Sequence, residues 1–331
     1  MKAYILRNFK EPPILSEAEK PGAAPGRVVV RVAAAGVCYR DYLAWQGFQR
    51  VRLPATPGHE FAGVVEEVGA GVSGLRPGDA VAGMMFEYCG ECEYCRSGRE
   101  YLCRNRKIYG EDLPGAFAEY ISADPKSLVK IPPGVPLEAA SFAACVLSTV
   151  VRGVRKIGVR PGMQVLVTGA GGGVGIHAVQ VARAYGARVI AVTSPAKAEV
   201  VSKYADHVVT GKVFSEEIKK LGGADGAVET VGGPTLEQTL RSLSWGARVA
   251  LIGNVDPQPT PVALGILILK EIEILPVIQG NRKDLEEALQ LLARGAVKPV
   301  YTVHGFSELP TLLEETPRAS HVGRRVVRVG N

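Results

Sequence analysis

From Met163 onward the chain alternates short apolar strands with helices, and this alternation most strongly limits its fold. The strand Val165–Thr168 runs into a glycine-rich turn, and the helix Val174–Tyr185 follows. Because successive parallel strands need a crossover connection, usually a helix, the pattern predicts a doubly wound parallel sheet. The other predicted elements of this region are strand Arg188–Thr193, helix Ala196–Lys203, strand His207–Val209, strand Gly226–Glu229, helix Thr235–Leu243, strand Arg248–Ile252 and strand Ile272–Pro276.

The first half of the chain is predicted to be rich in β-structure. Glycine and proline separate short apolar runs there, and no helix–strand alternation occurs before Pro133. A total of 331 residues is enough for about two domains. The predicted elements outside the alternating region are strands Val28–Val32, Phe61–Val68, Ala80–Met84 and Ala116–Ile121, helix Leu137–Lys156, helix Asn281–Arg294, a strand near Val300–Val303 and strand Arg324–Val329.

The turn after the strand Val165–Thr168 has the composition of a phosphate-binding loop. Glycine lets the backbone approach a pyrophosphate, which then lies at the positive N-terminus of the following helix. The spacing is a G-x-x-G-x-x-G variant, and its position between strand and helix favours a dinucleotide site over a flexible turn. The glycines concerned are Gly169, Gly171, Gly172, Gly173 and Gly175.

The end of the second strand of this unit bears on which dinucleotide binds. An acidic residue there would pair with the ribose 2′-hydroxyl of NAD and repel a 2′-phosphate. The chain has Thr193 and Ser194 instead, followed by Lys197. Hydroxyls beside a cation suit NADP(H), although Lys197 alone is also compatible with a solvated helix residue. Lys212, after the next strand, is a weaker second candidate for the phosphate.

Four of the six cysteines form one cluster with the spacing C-x2-C-x2-C-x7-C. Four thiolates on one loop are typical of a closed tetrahedral zinc site. A redox CxxC pair is the alternative, but such a pair needs only two cysteines. We interpret the cluster as a structural zinc site formed by Cys89, Cys92, Cys95 and Cys103.

The two remaining cysteines are far apart and, together with one histidine, make a three-ligand set. Cys38, His59 and Cys145 are the donors expected at a catalytic zinc, where a fourth position stays open. Asp41 is placed to orient a ligand, and Glu60 is a further ligand candidate. Sequence spacing does not show that these residues converge. Cys145 lies in an apolar segment, where a buried structural cysteine is an equally good interpretation.

Composition argues against several other classes of protein. The net charge is +6 with pI 9.0, but basic residues form no run and aromatics are 6% of the chain. These features do not support nucleic-acid binding. No signal peptide or span-length apolar run is visible, so we expect a cytoplasmic protein without membrane partners. High glycine and valine with few Asn and Gln weakly indicate a thermophile. The four histidines without partners at ligand spacing are interpreted as structural: His177, His207, His304 and His321.

One segment resembles a known family. Residues 58–72, GHEFAGVVEEVGAGV, are similar to the signature of zinc-containing alcohol dehydrogenases in the medium-chain dehydrogenase/reductase superfamily. The resemblance covers essentially the whole chain and implies a GroES-like catalytic domain at 1–148 and 277–331, with a structural zinc lobe near 87–104. It implies a Rossmann cofactor domain at 149–276. It further implies a small alcohol, ketone or aldehyde substrate and a dimer or tetramer.

The same resemblance implies roles for individual residues. Catalytic zinc would be held by Cys38, His59 and Cys145. Thr149 would contact the nicotinamide, Val174 would lie behind its ring, and Arg324 would meet the pyrophosphate. The residues implied to line the nicotinamide face are Ile252, Gly253, Asn254, Val277, Ile278 and Gln279.

The chain departs from the family pattern at the positions that relay a proton to the substrate oxygen. Arg40 occupies the position of a relay hydroxyl, and Leu43 that of the relay histidine. Tyr39 or water is then expected to supply the proton, unless Tyr39 only packs against the cofactor. The primary expectation is a zinc-dependent, NADP(H)-dependent alcohol dehydrogenase acting mainly as a carbonyl reductase.

Two alternatives stay open. The segments CYRD, YADHVV, FSEE and IGNVDP also resemble archaeal NADPH-dependent acryloyl-CoA reductases, in which hydride goes to the β-carbon of an enoyl thioester. A non-enzymatic dinucleotide sensor or crystallin-like protein is the other. The open-site ligand set argues against the sensor, because a sensor does not need a Lewis acid.

Overall fold

The computed structural model describes residues 1–256 and 258–330, which form strands in four sheets. In chain order the strands are β1 (Lys2–Ile5), β2 (Ile14–Glu17), β3 (Val28–Val37), β4 (Phe61–Val68), β5 (Ala80–Gly83), β6 (Phe86–Glu87), β7 (Lys107–Ile108), β8 (Tyr120–Ala123), β9 (Leu128–Lys130), β10 (Gln164–Val167), β11 (Arg188–Thr193), β12 (His207–Thr210), β13 (Ala224–Glu229), β14 (Leu243–Leu251), β15 (Glu273–Pro276), β16 (Tyr301–Gly305) and β17 (Arg324–Arg328).

The helices are concentrated in the second half of the chain. They are α1 (Tyr39–Trp45), α2 (Glu93–Arg96), α3 (Leu137–Ser141), α4 (Ser148–Lys156), α5 (Gly175–Ala184), α6 (Ala198–Ser202), α7 (Ser215–Lys220), α8 (Gly233–Ser242), α9 (Leu264–Lys270), α10 (Arg282–Ala293) and α11 (Leu309–Glu315), with a π-helix at Ala143–Leu147 between α3 and α4.

The alternating half forms a six-stranded sheet with the order β12-β11-β10-β13-β14-β15. Every neighbouring pair in it is parallel. This confirms the predicted doubly wound sheet. The strand order reverses between β10 and β13, and ligands of such sheets bind outside the carboxyl ends of the strands at this point. The glycine-rich turn between β10 and α5 lies at that position.

The β-rich half forms a seven-stranded sheet with the order β16-β17-β3-β4-β5-β9, and β8 also pairs with β3. The late strand β17 lies antiparallel to β3 and parallel to β16. The end of the described chain therefore returns to the first sheet, as predicted. The α/β fold class is confirmed, whereas the residue boundaries of the two domains stay a prediction.

Several predicted elements have other bounds in the structure, and two of these differences lie close to the candidate site. The strand predicted at Ala116–Ile121 lies instead at Tyr120–Ala123, because Ala116 and Phe117 donate their backbone N–H groups to the carbonyls of the turn before His59. The helix predicted at Leu137–Lys156 is divided by the π-helix that contains Cys145. Single π-turns within α-helices frequently mark functional sites.

Apolar packing joins the two halves of the molecule. α4 packs against α5 on one side and α10 on the other, with Val150, Val151 and Val154 fully buried. Within residues 1–256 and 258–330, none of the helices has both the length and the apolar character that crossing a membrane requires.

Candidate metal centres and cofactor cleft

Three elements bring the scattered ligand candidates together. Cys38 is the N-cap of α1, His59 lies in the turn before β4, and Cys145 lies in the π-helix. The donor atoms of these residues and of Glu60 all lie within 4.8 Å of one another. Sequence spacing had left this convergence open, and the geometry brings all four into one group, in which His59 and Glu60 are buried and the two cysteines are half-buried.

The imidazole of His59 is held in a defined orientation. Its Nδ1 lies 2.9 Å from Oδ1 of Asp41, and the second oxygen of Asp41 accepts the backbone N–H of Cys38 at 2.9 Å. The Nε2 of His59 is buried and has no hydrogen-bond partner among the described residues. A buried nitrogen with a free lone pair beside two thiols fits a metal ligand, with Asp41 orienting the ring.

The electrostatics of this group favour a thiolate at Cys38, whereas the hydrogen bond with Cys38 and burial raise the pKa of Cys145 well above its ordinary value. A hydrogen bond from Cys145 lowers the pKa of Cys38 well below its ordinary value, assisted by Arg324 and His59. Burial disfavours a charged His59, but Asp41 and Cys38 together raise the pKa of His59 well above its ordinary value, so a metal ion that binds Nε2 would displace a proton from the ring. The thiolate is the metal-binding form of cysteine. The donor set of Cys38, His59 and Cys145 therefore fits zinc with one open position.

Glu60 and Arg324 form a buried ion pair next to the three ligand candidates. The Arg324 Nε donates to Oε2 of Glu60 at 3.0 Å, and a second hydrogen bond joins Nη2 to Oε1. Burial raises the pKa of Glu60 to about 7, although Arg324 opposes this shift. A Cβ placed on Gly173 would lie 3.2 Å from Cδ of Arg324, so this arginine links Glu60 to the glycine-rich turn.

The cysteine cluster is compact. The Sγ atoms of Cys89 and Cys95 are 3.8 Å apart, and those of Cys92–Cys95 and Cys103–Cys89 are 3.5 Å apart. A zinc–sulfur bond of about 2.3 Å places tetrahedral sulfurs about 3.8 Å apart. All six cysteines of the chain are free thiols. The cluster thus fits one metal ion better than a redox pair.

Two contacts attach the cysteine lobe to the segment after β15. The guanidinium of Arg152 lies 3.6 Å from the ring centroid of Tyr101 and donates to the carbonyl of Gln279 at 2.7 Å. The amide of Asn281 donates to the carbonyl of Gly98 at 2.8 Å. The lobe therefore supports residues 279–281.

The glycine-rich turn adopts the conformation that a dinucleotide loop needs. Gly169 has a positive φ of 58°. A side chain on Gly175 would overlap the backbone of Gly169, so the helix packs directly on the turn. Val174 is the N-cap of α5, whose first turn carries no acidic residue. Residues 169–175 consequently present the N-terminus of α5 at the switch point of the sheet.

The candidates for the adenosine end lie together. Lys197 packs over Gly171 and Thr193, since a Cβ on Gly171 would lie 2.9 Å from both Cβ of Lys197 and Oγ1 of Thr193. Thr193 pairs with Thr210 in the parallel sheet, so Lys212 follows at the same edge. Ser194 is exposed.

The candidates for the nicotinamide end line the opposite side of the switch point. The hydroxyl of Thr149 donates to the carbonyl of Cys145 at 2.6 Å. The backbone N–H groups of Ile252 and Gly253 donate to Glu229, and that of Val277 to Leu251. Asn254 and Ile278 are exposed, and Gln279 is buried. Residues 252–254 therefore follow the carboxyl end of β14, residues 277–279 follow that of β15, and Thr149 lies on α4.

Tyr39 and Arg40, which lie where the family has its proton relay, both form hydrogen bonds with other parts of the chain. The hydroxyl of Tyr39 donates to the carbonyl of Val255 at 3.0 Å. Arg40 forms a two-pronged ion pair with Glu111, at 2.6 and 3.0 Å. Burial opposes the charge of Arg40, but Glu111 and the sulfurs of Cys38 and Cys145 raise its pKa. Arg40 therefore lies near the ligand group with its charge balanced by Glu111.

Sequence reasoning missed two acidic residues that organise the site. Glu229 is fully buried, and its carboxylate accepts hydrogen bonds from the hydroxyls of Thr168 and Thr239 and from the N–H of Val231. Its position at the end of a strand before Gly-Gly was the available signal. Glu111 is 71 residues from Arg40, and no local pattern connects the two.

Comparison with known families decides the relationship. The family model described as the alcohol dehydrogenase GroES-like domain matches residues 24–133, and the one described as zinc-binding dehydrogenase matches residues 173–294. The chain belongs to the zinc-containing alcohol dehydrogenase family of the medium-chain dehydrogenase/reductase superfamily. It is an oxidoreductase of this superfamily, and membership implies zinc and a nicotinamide cofactor.

Individual members of the family are similar over nearly the full length. An acryloyl-coenzyme A reductase of Metallosphaera sedula is 46% identical over 92% of this chain and 93% of its own. An alcohol dehydrogenase of Geobacillus stearothermophilus is 37% identical over 99% of this chain and 100% of its own. The crystal structure of AibC superposes with a TM-score of 0.95 at 38% identity, covering 100% of this chain and 96% of that one.

Proposed function

We propose that the protein is an NADP(H)-dependent reductase of α,β-unsaturated thioesters of the acryloyl-CoA type. The observation that carries this proposal is that Arg40, at the position where the family usually has a relay hydroxyl, is held in an ion pair with Glu111. Relatives with 46% and 44% identity are named acryloyl-coenzyme A reductases, which supports the same substrate class.

The chemistry of the two reductions differs in where the proton goes. Reducing a ketone leaves charge on the oxygen, and a proton must reach that oxygen inside the closed site. Reducing an enoyl thioester places hydride on the β-carbon, and a proton from solvent adds to the α-carbon. The net reaction converts the enoyl thioester, NADPH and one proton to the saturated thioester and NADP⁺. The second reaction needs no proton relay to the oxygen. This agrees with the apolar Leu43 at the position of the relay histidine and with a Tyr39 hydroxyl that already donates to the carbonyl of Val255.

The chain's own residues have defined tasks in this proposal. Cys38, His59 and Cys145 would hold zinc, and Asp41 would fix the His59 ring. Bound zinc would polarise the thioester carbonyl, and the bound nicotinamide would supply the hydride. The part of the Arg40 guanidinium that does not bond to Glu111 would stabilise the negative charge that develops on the thioester oxygen.

Preference for NADP(H) is part of the proposal. The carboxyl end of β11 carries Thr193 and Ser194 and no acidic residue, and Lys197 packs beside Thr193. An acidic side chain at this point would repel a 2′-phosphate, whereas hydroxyls and a cation accommodate it.

The test is a side-by-side assay of NADPH oxidation by the zinc-loaded protein. We expect turnover of acryloyl-CoA and negligible turnover of acetone, acetaldehyde or cyclohexanone. An Arg40→Met variant should lose about a hundredfold in kcat/KM for acryloyl-CoA, as expected when one group that stabilises an oxyanion is removed. Arg76→Met, on an exposed loop, is the matched control. Efficient turnover of simple ketones with none of acryloyl-CoA would overturn the proposal.

Carbonyl reduction is the second candidate. The observation in its favour is the complete Cys–His–Cys donor set with its free imidazole nitrogen, which suits a metal that polarises a ketone or aldehyde. In that case removing zinc should abolish ketone reduction, and water would have to provide the proton. Activity on ketones that persists without zinc at this site would exclude this candidate.

A further inference from the structure

The segment after α11 lies against the cofactor loop of the other sheet. The backbone N–H of Gly323 donates to the carbonyl of Gly171 at 3.2 Å, and Nζ of Lys197 donates to the carbonyl of Ala319 at 2.5 Å. Lys197 in turn packs over Gly171 and Thr193. Residues 319–323 therefore form one wall of the adenosine end, although sequence analysis assigned that end only to residues of the alternating half.

The basic residues around residues 319–325 are not all paired with a carboxylate. Arg324 pairs with Glu60, and Arg325 with Glu315 at 3.2 Å. Lys197, by contrast, has no carboxylate partner within residues 1–256 and 258–330, and its ammonium meets only a carbonyl oxygen. Burial lowers the pKa of Lys197, because the ammonium is partly removed from water without a counter-charge. An anion beside Lys197 would remove this penalty.

His321 has an unused polar atom in the same segment. Its Nδ1 is buried and lacks a hydrogen-bond partner in the described part of the chain. Burial, followed by the charges of Arg325 and Lys197, lowers the pKa of His321 to about 4. A buried ring nitrogen without a partner, close to an unbalanced lysine, is a donor that a phosphate oxygen could satisfy.

We infer that His321 and Lys197 bind the 2′-phosphate of NADP(H) from two sides, one residue from each half of the molecule. Thr193 marks the place of the ribose 2′-position, because that position lies at the end of the second strand of such units. Lys197 supplies charge at this place, and His321 closes it from residues 319–323. On this inference His321 contacts the cofactor, a role that its spacing in the sequence did not indicate. The inference rests on the NADP(H) preference proposed above.

The test measures binding of four ligands to the zinc-loaded protein by calorimetry: NADPH, NADH, adenosine 2′,5′-bisphosphate and 5′-AMP. NADPH differs from NADH, and adenosine 2′,5′-bisphosphate from 5′-AMP, only in the 2′-phosphate. We expect His321→Leu to weaken NADPH and adenosine 2′,5′-bisphosphate about tenfold and to leave NADH and 5′-AMP unchanged. Lys197→Ala should give a larger loss of the same selective kind. His207→Gln, an exposed histidine on β12, should change none of the four.

The outcomes separate this inference from the proposals on which it rests. Wild-type protein that binds NADPH no better than NADH would refute the cofactor preference and this inference together. Wild-type that prefers NADPH, with a His321→Leu variant that keeps the full preference, would refute this inference alone. An equal loss of NADH and NADPH would assign His321 to packing rather than to the phosphate. His321→Gln, which retains a polar end, guards against a folding defect in the leucine variant. Because only binding is measured, the result does not depend on which substrate is reduced.

Discussion

Asp41 and His59 are joined by a buried contact of 2.9 Å between Oδ1 and Nδ1, with both side chains at most 4% exposed. The second carboxylate oxygen of Asp41 accepts the N–H of Cys38. One side chain thus positions two ligand candidates that are 21 residues apart in the sequence.

Replacing Asp41 should therefore weaken the metal site without removing a ligand. Asp41→Asn is expected to lower zinc affinity at this site by about 10- to 100-fold, as is usual when the partner of a metal-bound histidine is lost. Competition with a chelating dye measures the loss. The four-cysteine cluster of the same molecule is the internal control. Its zinc should be released at the same chelator concentration in the variant as in the wild-type protein. Unchanged affinity in Asp41→Asn would contradict the positioning role.

The Arg40–Glu111 pair should show strong energetic coupling. Arg40→Met leaves the carboxylate of Glu111, which is 9% exposed, without its partner, and should cost about 2 kcal/mol of unfolding free energy. Glu111→Gln should cost a similar amount. The double variant should cost less than the sum of the two by at least about 1 kcal/mol, as measured by urea unfolding. Additive losses would show that the pair is not coupled.

The cysteine cluster should stabilise the fold, whereas the three-ligand site should matter mainly for activity. Cys103→Ser is expected to lose one zinc ion and more than about 3 kcal/mol of unfolding free energy, because metal binding orders the lobe. Cys38→Ser should lose the other zinc ion with a much smaller change in stability. Metal analysis and thermal unfolding of both variants check this. Equal destabilisation by the two substitutions would show that the division of roles is wrong.

His177 should make stability fall at mildly acidic pH. Its Nδ1 donates to the carbonyl of Gly173 at 2.7 Å and its Nε2 accepts the N–H of Val300 at 3.1 Å, so the ring is neutral. Burial lowers the pKa of His177 to about 4, against about 6.5 in the unfolded chain. As pH falls from about 6.5 to 4, the unfolded state takes up a proton that the folded state does not. This should remove about 3 kcal/mol of stability.

The difference between wild-type and His177→Gln isolates this contribution. The variant should be less stable at pH 7, because it loses one of the two hydrogen bonds. The difference in unfolding free energy between the two proteins should narrow as pH drops toward 4, because only the wild-type loses stability through His177. Urea unfolding at several pH values gives both curves, with His207→Gln as the control. A gap that stays constant with pH would show that His177 does not titrate in this window.

The sequence predicted the features that depend on local spacing. The four cysteines lie within fifteen residues, and the glycine-rich turn is bounded by its own strand and helix, so both could be placed before the structure was known. The convergence of Cys38 with Cys145 depends on a π-helix that no propensity rule indicates. The pairing of Arg40 with Glu111 depends on loop packing across 71 residues. Contacts of this kind follow from the tertiary fold and leave no local pattern.

The place of β17 has a consequence for how the protein matures on the ribosome. This strand completes the sheet next to β3, and its first residue, Arg324, pairs with Glu60 beside the ligand group. Residues 1–323 are therefore translated before the cleft can close around its reactants. Until then the exposed edge of β3 is a surface on which a nascent polypeptide can aggregate, so chaperone protection during synthesis should be needed most there.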